Sequence, residues 1–488
     1  MTVPLAQNLV PKVLMEAIDA GISSDIIRSL ALRKAERSAY EHFVVRNRDN
    51  GPHQAQLDKY QTVVNMFRAL DRAIHEGHVS RNVRRCLVRI LVGKIMMGKD
   101  ERRAPFREKY GFEPPGFVTI SPAMQCNLRC EGCYATSHPG KKANLDYDIV
   151  HRVVNEIRES WGAHFCVISG GEPFLWRSQG KGIMDLFREN PDTFFLMYTN
   201  GTLIDEEMAA QLAEVGNVTP AISVEGFEKE TDERRGKGVF QKIVRAMENL
   251  RRAGVPFGIS ATATRHNAEL LVSDEFVDFY FEEQGAIYGW IFHYMPIGRH
   301  YTTELMITPE QRRYLWEREQ YLVHERKIFL ADFWNSGPVA GGCISAGRGG
   351  GYFYINWNGD VTPCVFFPYS THNIVEVYNS GGDLTTILLS PMFQAIRAWQ
   401  RAYGYGKPPS EVKNQIAPCA IRDHYRMAYR VIRKFGAKPI DEDAAAALED
   451  PDYRRKMIEY GKAVEAITGP IWEERYVGPE RQAASLAA

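Results

Sequence analysis

Apolar positions fall into two rhythms along the chain. Between about 113 and 335, short apolar runs alternate with longer segments in which apolar residues recur every three or four positions. The runs are GFVTI, HFCVIS, FFLMY, TPAISV, PFGISATAT and YGWIFHY. Leu145, Ile149, Val153 and Ile157, with Val150 and Val154 beside them, set the period after the first run. Phe240, Ile243, Val244, Met247 and Leu250 set it after the fourth. A run too short for a helix followed by a helical period reads as strand then helix. Strands separated by such helices lie parallel, joined by right-handed crossovers. Six strands of this kind predict an α/β fold, a partial (β/α)6 barrel open on one side, because a closed barrel takes eight. Ligands then belong at the C-terminal ends of the strands, where the loops gather.

The flanks follow other patterns. Residues 1–112 read as a helical N-terminal region, 113–335 as the barrel, 336–430 as a small irregular extension, and 431–488 as a charged helical tail ending in a frayed QAASLAA. The run Val83 to Met97 mixes apolar residues with Arg and Lys. It fits a core-packed helix with a solvated basic rim, or a surface for an anionic membrane or lipid-like substrate.

No run approaches a membrane span, and the first 25 residues lack the charged and apolar blocks of a secretion signal. The expected location is the cytoplasm. With 44% apolar and 25% charged residues the chain has material for a large core, which excludes a disordered or disulfide-stapled protein. Lys+Arg and Asp+Glu balance at 60 each, so no global field draws the chain to nucleic acid.

The eight cysteines are expected to be reduced in that compartment, and clustered ones read as ligands or catalytic groups. Cys126, Cys130 and Cys133 stand at x3 and x2 spacing directly after the first strand. Three thiolates within eight residues converge only if the loop wraps one centre, an iron–sulfur cluster or zinc. Three ligands leave one iron of a four-iron cluster open, whereas zinc would want a fourth ligand, for which His138 is in range. Cys86 and Cys166 read as buried fillers, and His151, His164 and His293 as structural. Tyr294 and Met295 fit a pocket wall or the core equally.

The segment CNLRCEGCY resembles the cluster motif of the radical S-adenosylmethionine (radical SAM) superfamily. Further motifs fall at successive strand ends: Gly170-Gly171-Glu172-Pro173, Tyr198-Thr199-Asn200-Gly201, Ser223-Val224-Glu225-Gly226, and Arg234-Arg235-Gly236 ahead of Gly238 and Phe240. The resemblance covers about 115–300. It implies that Cys126, Cys130 and Cys133 hold a [4Fe–4S] cluster whose open iron binds S-adenosylmethionine. Reductive cleavage would yield a 5′-deoxyadenosyl radical that abstracts hydrogen from the substrate. It implies cofactor contacts from Gly170, Gly171 and Glu172, from Asn200 and Ser223, from Arg235 to the carboxylate, and from Tyr134 against the adenine. An electron donor such as a flavodoxin or ferredoxin is implied as partner. Beside these stand blander readings: a strand-to-loop turn for the glycines, a solvated loop for Arg234 and Arg235, and ordinary packing for Tyr134. Glu225 stands where the family often has Asp, so that position is not carried over.

Cys343, Gly359 and Cys364 resemble the opening of the SPASM extension, which carries auxiliary iron–sulfur clusters. Asn356, Asn358, Gly359 and Asp360 would make a hairpin turn. The chain departs from the full pattern of seven cysteines, offering Cys343, Cys364 and Cys419. One auxiliary [4Fe–4S] cluster is therefore expected, with Asp423, His424, another donor or substrate as fourth ligand; zinc or no metal is the alternative. The functional expectation is an enzyme that functionalises a C–H bond of a small-molecule or lipid-like substrate. The alternatives are a peptide maturase and, from another class, a non-catalytic iron–sulfur or zinc protein.

Overall fold

The computed structural model describes residues 24–47, 50–96 and 102–478. The readings made on the first residues, on Met97 and on the QAASLAA tail lie outside the described residues.

The six anticipated strands are β1 (Thr119–Ile120), β2 (Phe165–Ile168), β3 (Phe194–Thr199), β4 (Val218–Val224), β5 (Gly258–Ala263) and β6 (Gly289–His293). Two further parallel strands extend them: β7 (Leu330–Asp332) beside β6, and β8 (Tyr354–Ile355) beside β1. β9 (Asp360–Thr362) and β10 (His372–Asn373) continue antiparallel past β8. One 10-stranded sheet results, in the order β10-β9-β8-β1-β2-β3-β4-β5-β6-β7. The parallel run is thus two strands longer than the six expected. β7 and β8 are three and two residues long, too short to set a rhythm in the sequence. Among the described residues β7 ends the sheet and does not pair with β8, so the wall is open there.

The helices begin with α1 (Asp25–Tyr40), α2 (His53–His75) and α3 (Arg81–Leu87). The crossovers include α4 (Tyr147–Trp161), α5 (Glu206–Val215), α6 (Glu228–Arg235) and α7 (Val239–Ala253). α8 (Pro309–His324) precedes β7, and α9 (Pro451–Trp472) closes the chain. In α4 the predicted face is buried at Val150, Val153, Val154 and Ile157; Leu145 is buried but precedes the helix. The Asp232 carboxylate starts α7 by accepting the Gly238 and Phe240 N–H groups at 2.5 and 2.9 Å, an N-terminal cap. Between β5 and β6 the helix is interrupted, because Ser273 accepts the Phe276 N–H at 3.1 Å and restarts it.

Val83 and Leu87 of α3 and Ile90 beyond it are buried with Ala73 and Phe194, and Arg89 pairs with Asp192 at 3.0 Å. That apolar face is spent inside the protein, which favours the core-packed reading over a lipid surface. No helix among the described residues is long and apolar enough to cross a membrane.

Candidate functional site

The cysteine loop leaves the C-terminal end of β1 and is clamped from three sides. The loop after β2 docks on it through Gly171 N–H to Ala123 O, 2.9 Å, and Glu172 N–H to Gln125 O, 2.8 Å. From α6, Arg234 Nε donates to Glu131 O at 3.2 Å, and Glu131 N–H returns to Arg234 O at 3.1 Å. After β6, Arg299 donates to Cys130 O at 2.6 Å and Ser137 O at 2.5 Å, while its own N–H reaches Cys133 O at 3.1 Å. Arg299 is buried, and no motif singled it out.

So held, Cys126, Cys130 and Cys133 line one cavity of about 620 Å³. All eight cysteines are free thiols. Burial pushes the Cys126 thiol up to about 12 and raises that of Cys130, where Arg235 opposes it. Ligand binding here must therefore displace protons, which couples metal loading to pH.

The predicted contacts divide. Gly170, Gly171, Ser223, Asn200, Tyr134 and Arg235 all line the cavity, and Glu172 does not. Its carboxylate is fully buried, accepting from Thr199 Oγ1 at 2.8 Å, Asn200 N–H at 2.9 Å and Phe174 N–H at 3.3 Å. Burial pushes Glu172 up to about 7 against those bonds. Through these bonds it ties the β2 loop to the β3 loop. The two glycines, which line the cavity, also have a packing role. At φ +122°, a Cβ on Gly170 would lie 2.8 Å from Ala123 O, and one on Gly171 would overlap Gln125 O. Their smallness lets the cysteine loop dock.

Asn200 Nδ2 donates to Asn127 Oδ1 at 2.8 Å and contacts Cys126 Sγ at 3.6 Å, so it holds the first ligand from the side. Tyr134 Oη and Ser169 Oγ are 2.7 Å apart. Arg235 donates through Nε and Nη2 to buried Glu225 Oε1 at 3.0 and 2.5 Å, and Arg234 Nη1 reaches the same oxygen at 2.5 Å. Burial works against the Arg235 charge; Glu225 and the thiols of Cys130 and Cys126 outweigh it and raise its pKa. Glu225 Oε2 is buried with no hydrogen bond.

The second triad faces the same cavity: Cys343, Cys364 and Cys419 all line it. The predicted hairpin forms, with Asn356 Oδ1 accepting from Asn358 and Asp360 N–H at 2.9 Å and Gly359 at φ +85°. Burial pushes Cys364 up to about 12 and raises Cys419. Both named candidates for the fourth ligand already make hydrogen bonds. Asp423 takes two hydrogen bonds from Arg312, 2.8 and 3.2 Å, and one from Cys419 N–H, 3.1 Å. His424 Nε2 lies 3.0 Å from Ala417 O and donates to that carbonyl.

An aromatic belt that no sequence signal disclosed lies between the triads. Phe366, two residues after Cys364, stands 6.4 Å from the Tyr134 ring, 5.8 Å from Phe292 and 4.8 Å from Trp334. His293, buried at the C-terminal end of β6, is bonded to Asp332 at 2.7 Å. Burial lowers its pKa to about 4, so neutral imidazole donates to the carboxylate. From Asp332 the bonds run through Asn335 Nδ2, 3.0 Å, and Arg312 Nε to Asn335 Oδ1, 2.9 Å, to Asp423 and the Cys419 loop. Cys86 and Cys166 lie outside the cavity lining, as fillers should.

Among the described residues no three His, Cys, Asp or Glu side chains are drawn together closely enough to hold one metal ion. The donor chemistry nonetheless fits iron–sulfur ligation: three thiols from one loop and three from separate segments face one cavity, with Arg235 beside the first set. His138 spends Nδ1 on the Gly140 N–H at 3.0 Å and does not line the cavity, so the zinc reading lacks its fourth ligand.

Comparison with known proteins agrees with this donor set. The Radical SAM superfamily matches residues 120–267, and the SPASM iron–sulfur cluster-binding domain matches residues 343–420. Mycofactocin maturase MftC of Mycolicibacterium smegmatis is 29% identical over 304 residues, covering 60% of this chain and 75% of that protein. Fe-coproporphyrin III synthase of Methanosarcina barkeri is 28% identical over 176 residues, 36% of this chain and 43% of that protein. A crystal structure of Streptococcus suis SuiB bound to S-adenosylmethionine aligns at 19% identity and TM-score 0.49, over 61% of this chain and 71% of that one.

Proposed function

We propose, from the premise that the chain is a radical SAM enzyme with a SPASM domain, that it matures a peptide by radical chemistry on one residue. One observation carries the reading: both cysteine triads open on the same cavity, so a substrate held there touches both. Similarity over 75% of a mycofactocin maturase turns the reading toward a peptide rather than a free small molecule. The apolar lining and the partial likeness to a coproporphyrin synthase support the small-molecule or lipid-like substrate as second reading.

When bound at Cys126, Cys130 and Cys133, a [4Fe–4S] cluster supplies the electron that cleaves S-adenosylmethionine to the hydrogen-abstracting radical. The chain's own residues position and protect. Arg234, Arg299 and Asn200 fix the cysteine loop. Arg235, with Nε and Nη2 held by Glu225, brings positive charge to the cavity wall that would attract a carboxylate. Ser223 offers a hydroxyl at the end of β4. The aromatic belt of Phe292, Trp334 and Phe366 keeps water from the space between the triads, where a reactive carbon would otherwise be quenched. Cys343, Cys364 and Cys419 would hold an auxiliary cluster that would anchor the substrate or accept its electron, and a flavodoxin or ferredoxin would be the electron donor.

Anaerobic reconstitution tests this. The expected content is about eight irons per chain, two four-iron clusters. Dithionite and S-adenosylmethionine should then yield 5′-deoxyadenosine, and Cys126→Ala should abolish it. About four irons in the parent, unchanged in the Cys343/Cys364/Cys419 triple alanine variant, refutes the second cluster. No nucleoside from fully loaded protein refutes the enzyme reading in favour of a binding role.

A further inference from the structure

The cavity does not stop at the cysteines. A parallel barrel interior is normally filled by layers of side chains, and protein interiors hold few voids larger than a water molecule. Here the lining follows a period of two down the strands, as inward-facing residues must. It reaches the N-terminal ends, the side of the barrel away from the catalytic loops: Phe165 is the first residue of β2, Trp290 the second of β6, and Phe329 stands just before β7. All three are partly exposed to the space they enclose. Below them α2 closes the barrel with Thr62, Val63 and Met66.

This floor is fixed in place. Asn65, fully buried on the same helix, donates to Val323 O at 2.8 Å and Ile328 O at 3.0 Å, at the end of α8 and the approach to β7. Asp58 accepts from Tyr476 at 2.8 Å two turns earlier. The charged residues that line the cavity, Arg234 and Arg235 at the C-terminal end of α6 and the paired His293 and Asp332 at the C-terminal ends of β6 and β7, lie at the end of the barrel that bears the cysteine loop, so the lower chamber carries no charge.

We infer that this lower chamber is a specificity pocket for a bulky uncharged apolar group of the substrate, and that Val63 and Met66 of the N-terminal helix set how far it reaches. The inference rests on the cavity being the substrate site and adds the kind of group the substrate must carry. Shape and chemistry support it: an aromatic-walled, uncharged recess continuous with the radical-generating end takes a ring or a branched chain and rejects a charged one.

The test uses cluster-reconstituted full-length protein without air and the uncharged probe N-phenyl-1-naphthylamine, measured by equilibrium dialysis. One saturable equivalent per chain is expected. Val63→Trp and Met66→Trp, each filling the floor, should weaken it about tenfold or more, because overfilling a packed site is costly. Met66→Ala should keep the probe and newly admit geranylgeraniol as a competitor where the parent accepts only farnesol. Displacement by farnesol assigns the group to an isoprenoid-like molecule, and displacement by an acetylated aromatic tetrapeptide amide assigns it to a peptide side chain. Either supports the chamber. Absence of saturable binding, or parental binding in both folded tryptophan variants together with unchanged length selection in Met66→Ala, overturns it. Formation of 5′-deoxyadenosine by the same parent preparation tests the radical chemistry separately; its loss would sink that reading and leave the chamber standing.

Discussion

Arg312 and Asp423 form the ion pair on which the second cysteine triad depends. Their side chains are 0% and 1% exposed and meet at 2.8 Å. Arg312 also donates to Asn335 Oδ1 at 2.9 Å and Ile416 O at 2.8 Å, so every arm of its fork is used. Burial alone would raise the Asp423 carboxyl; Arg312 outweighs it and holds the group below the usual carboxylate range. Asp423→Ala strands a guanidinium in the interior and frees the Cys419 N–H. Removing one partner of a buried pair costs about 3–5 kcal/mol. Against a total stability of about 5–15 kcal/mol, that is enough to loosen the loop locally or to unfold the chain near body temperature. Arg312→Leu should cost a similar amount while leaving the carboxylate in place. The double variant Arg312→Leu/Asp423→Leu should fall short of the sum of the single losses by about 2 kcal/mol, the signature of direct coupling. Urea unfolding of iron-free protein measures the three values, and iron content after reconstitution measures the consequence. Both single variants should lose the auxiliary cluster and keep the first. If Arg312→Leu were as stable as the parent and kept all its iron while Asp423→Ala lost half, Asp423 would be a metal ligand and the tether argument would fail.

Three further outcomes follow from the same geometry. Gly171→Ala puts a methyl group into Gln125 O, so the cysteine loop must lift; the expected result is loss of the first cluster's absorbance with the second retained, read by iron count and visible spectrum. Lys59 is mostly buried beside Arg348, and burial pushes its pKa down from 10.5 to about 8. The unfolded chain therefore binds more protons between those values, so this group makes stability rise as pH climbs from about 8 to 10.5. Lys59→Met should flatten that rise and raise the melting temperature at pH 7, and a parental pH profile in the variant would contradict it. Asn65→Ala leaves the Val323 and Ile328 carbonyls without their donor, at a cost of about 1–3 kcal/mol, and should speed hydrogen exchange selectively in α2.

What the sequence disclosed was what repeats or what chemistry demands. Strands β1 to β6 and the helices after them announced themselves through period, because each has one face to bury. The first triad stood out because three thiols at that spacing have few other uses. The hairpin at Asn356 to Asp360 was legible because its turn needs Asn and Gly for local hydrogen bonds and a positive φ. Contacts between distant segments were not legible. Arg299 sits 169 residues from the carbonyl of Cys130 that it holds, and Arg312 sits 111 from Asp423. No local pattern encodes such pairings. Glu172 shows the converse limit: its motif was recognisable, yet whether the carboxylate faces the cavity or turns beneath the loop depends on where Thr199 and the Asn200 amide lie.

The domain division drawn from composition, with a break near 336, also needs a physical gloss. β8 belongs to the irregular extension but lies parallel to β1, with Thr119 opposite Tyr354 and Ile120 opposite Ile355. The extension is thus hydrogen-bonded into the barrel sheet next to the strand that launches the first cysteine loop. Gly116 N–H to Gly351 O at 2.8 Å and Ser121 N–H to Ile355 O at 2.9 Å bracket that junction. A hinge between the two cysteine triads would have to break these main-chain bonds and separate Tyr134 from Phe366. The distance between the triads is therefore set by a strand register, and a register does not slide by fractions of a residue. Under the proposed function, a substrate that reaches both triads would have to match that span.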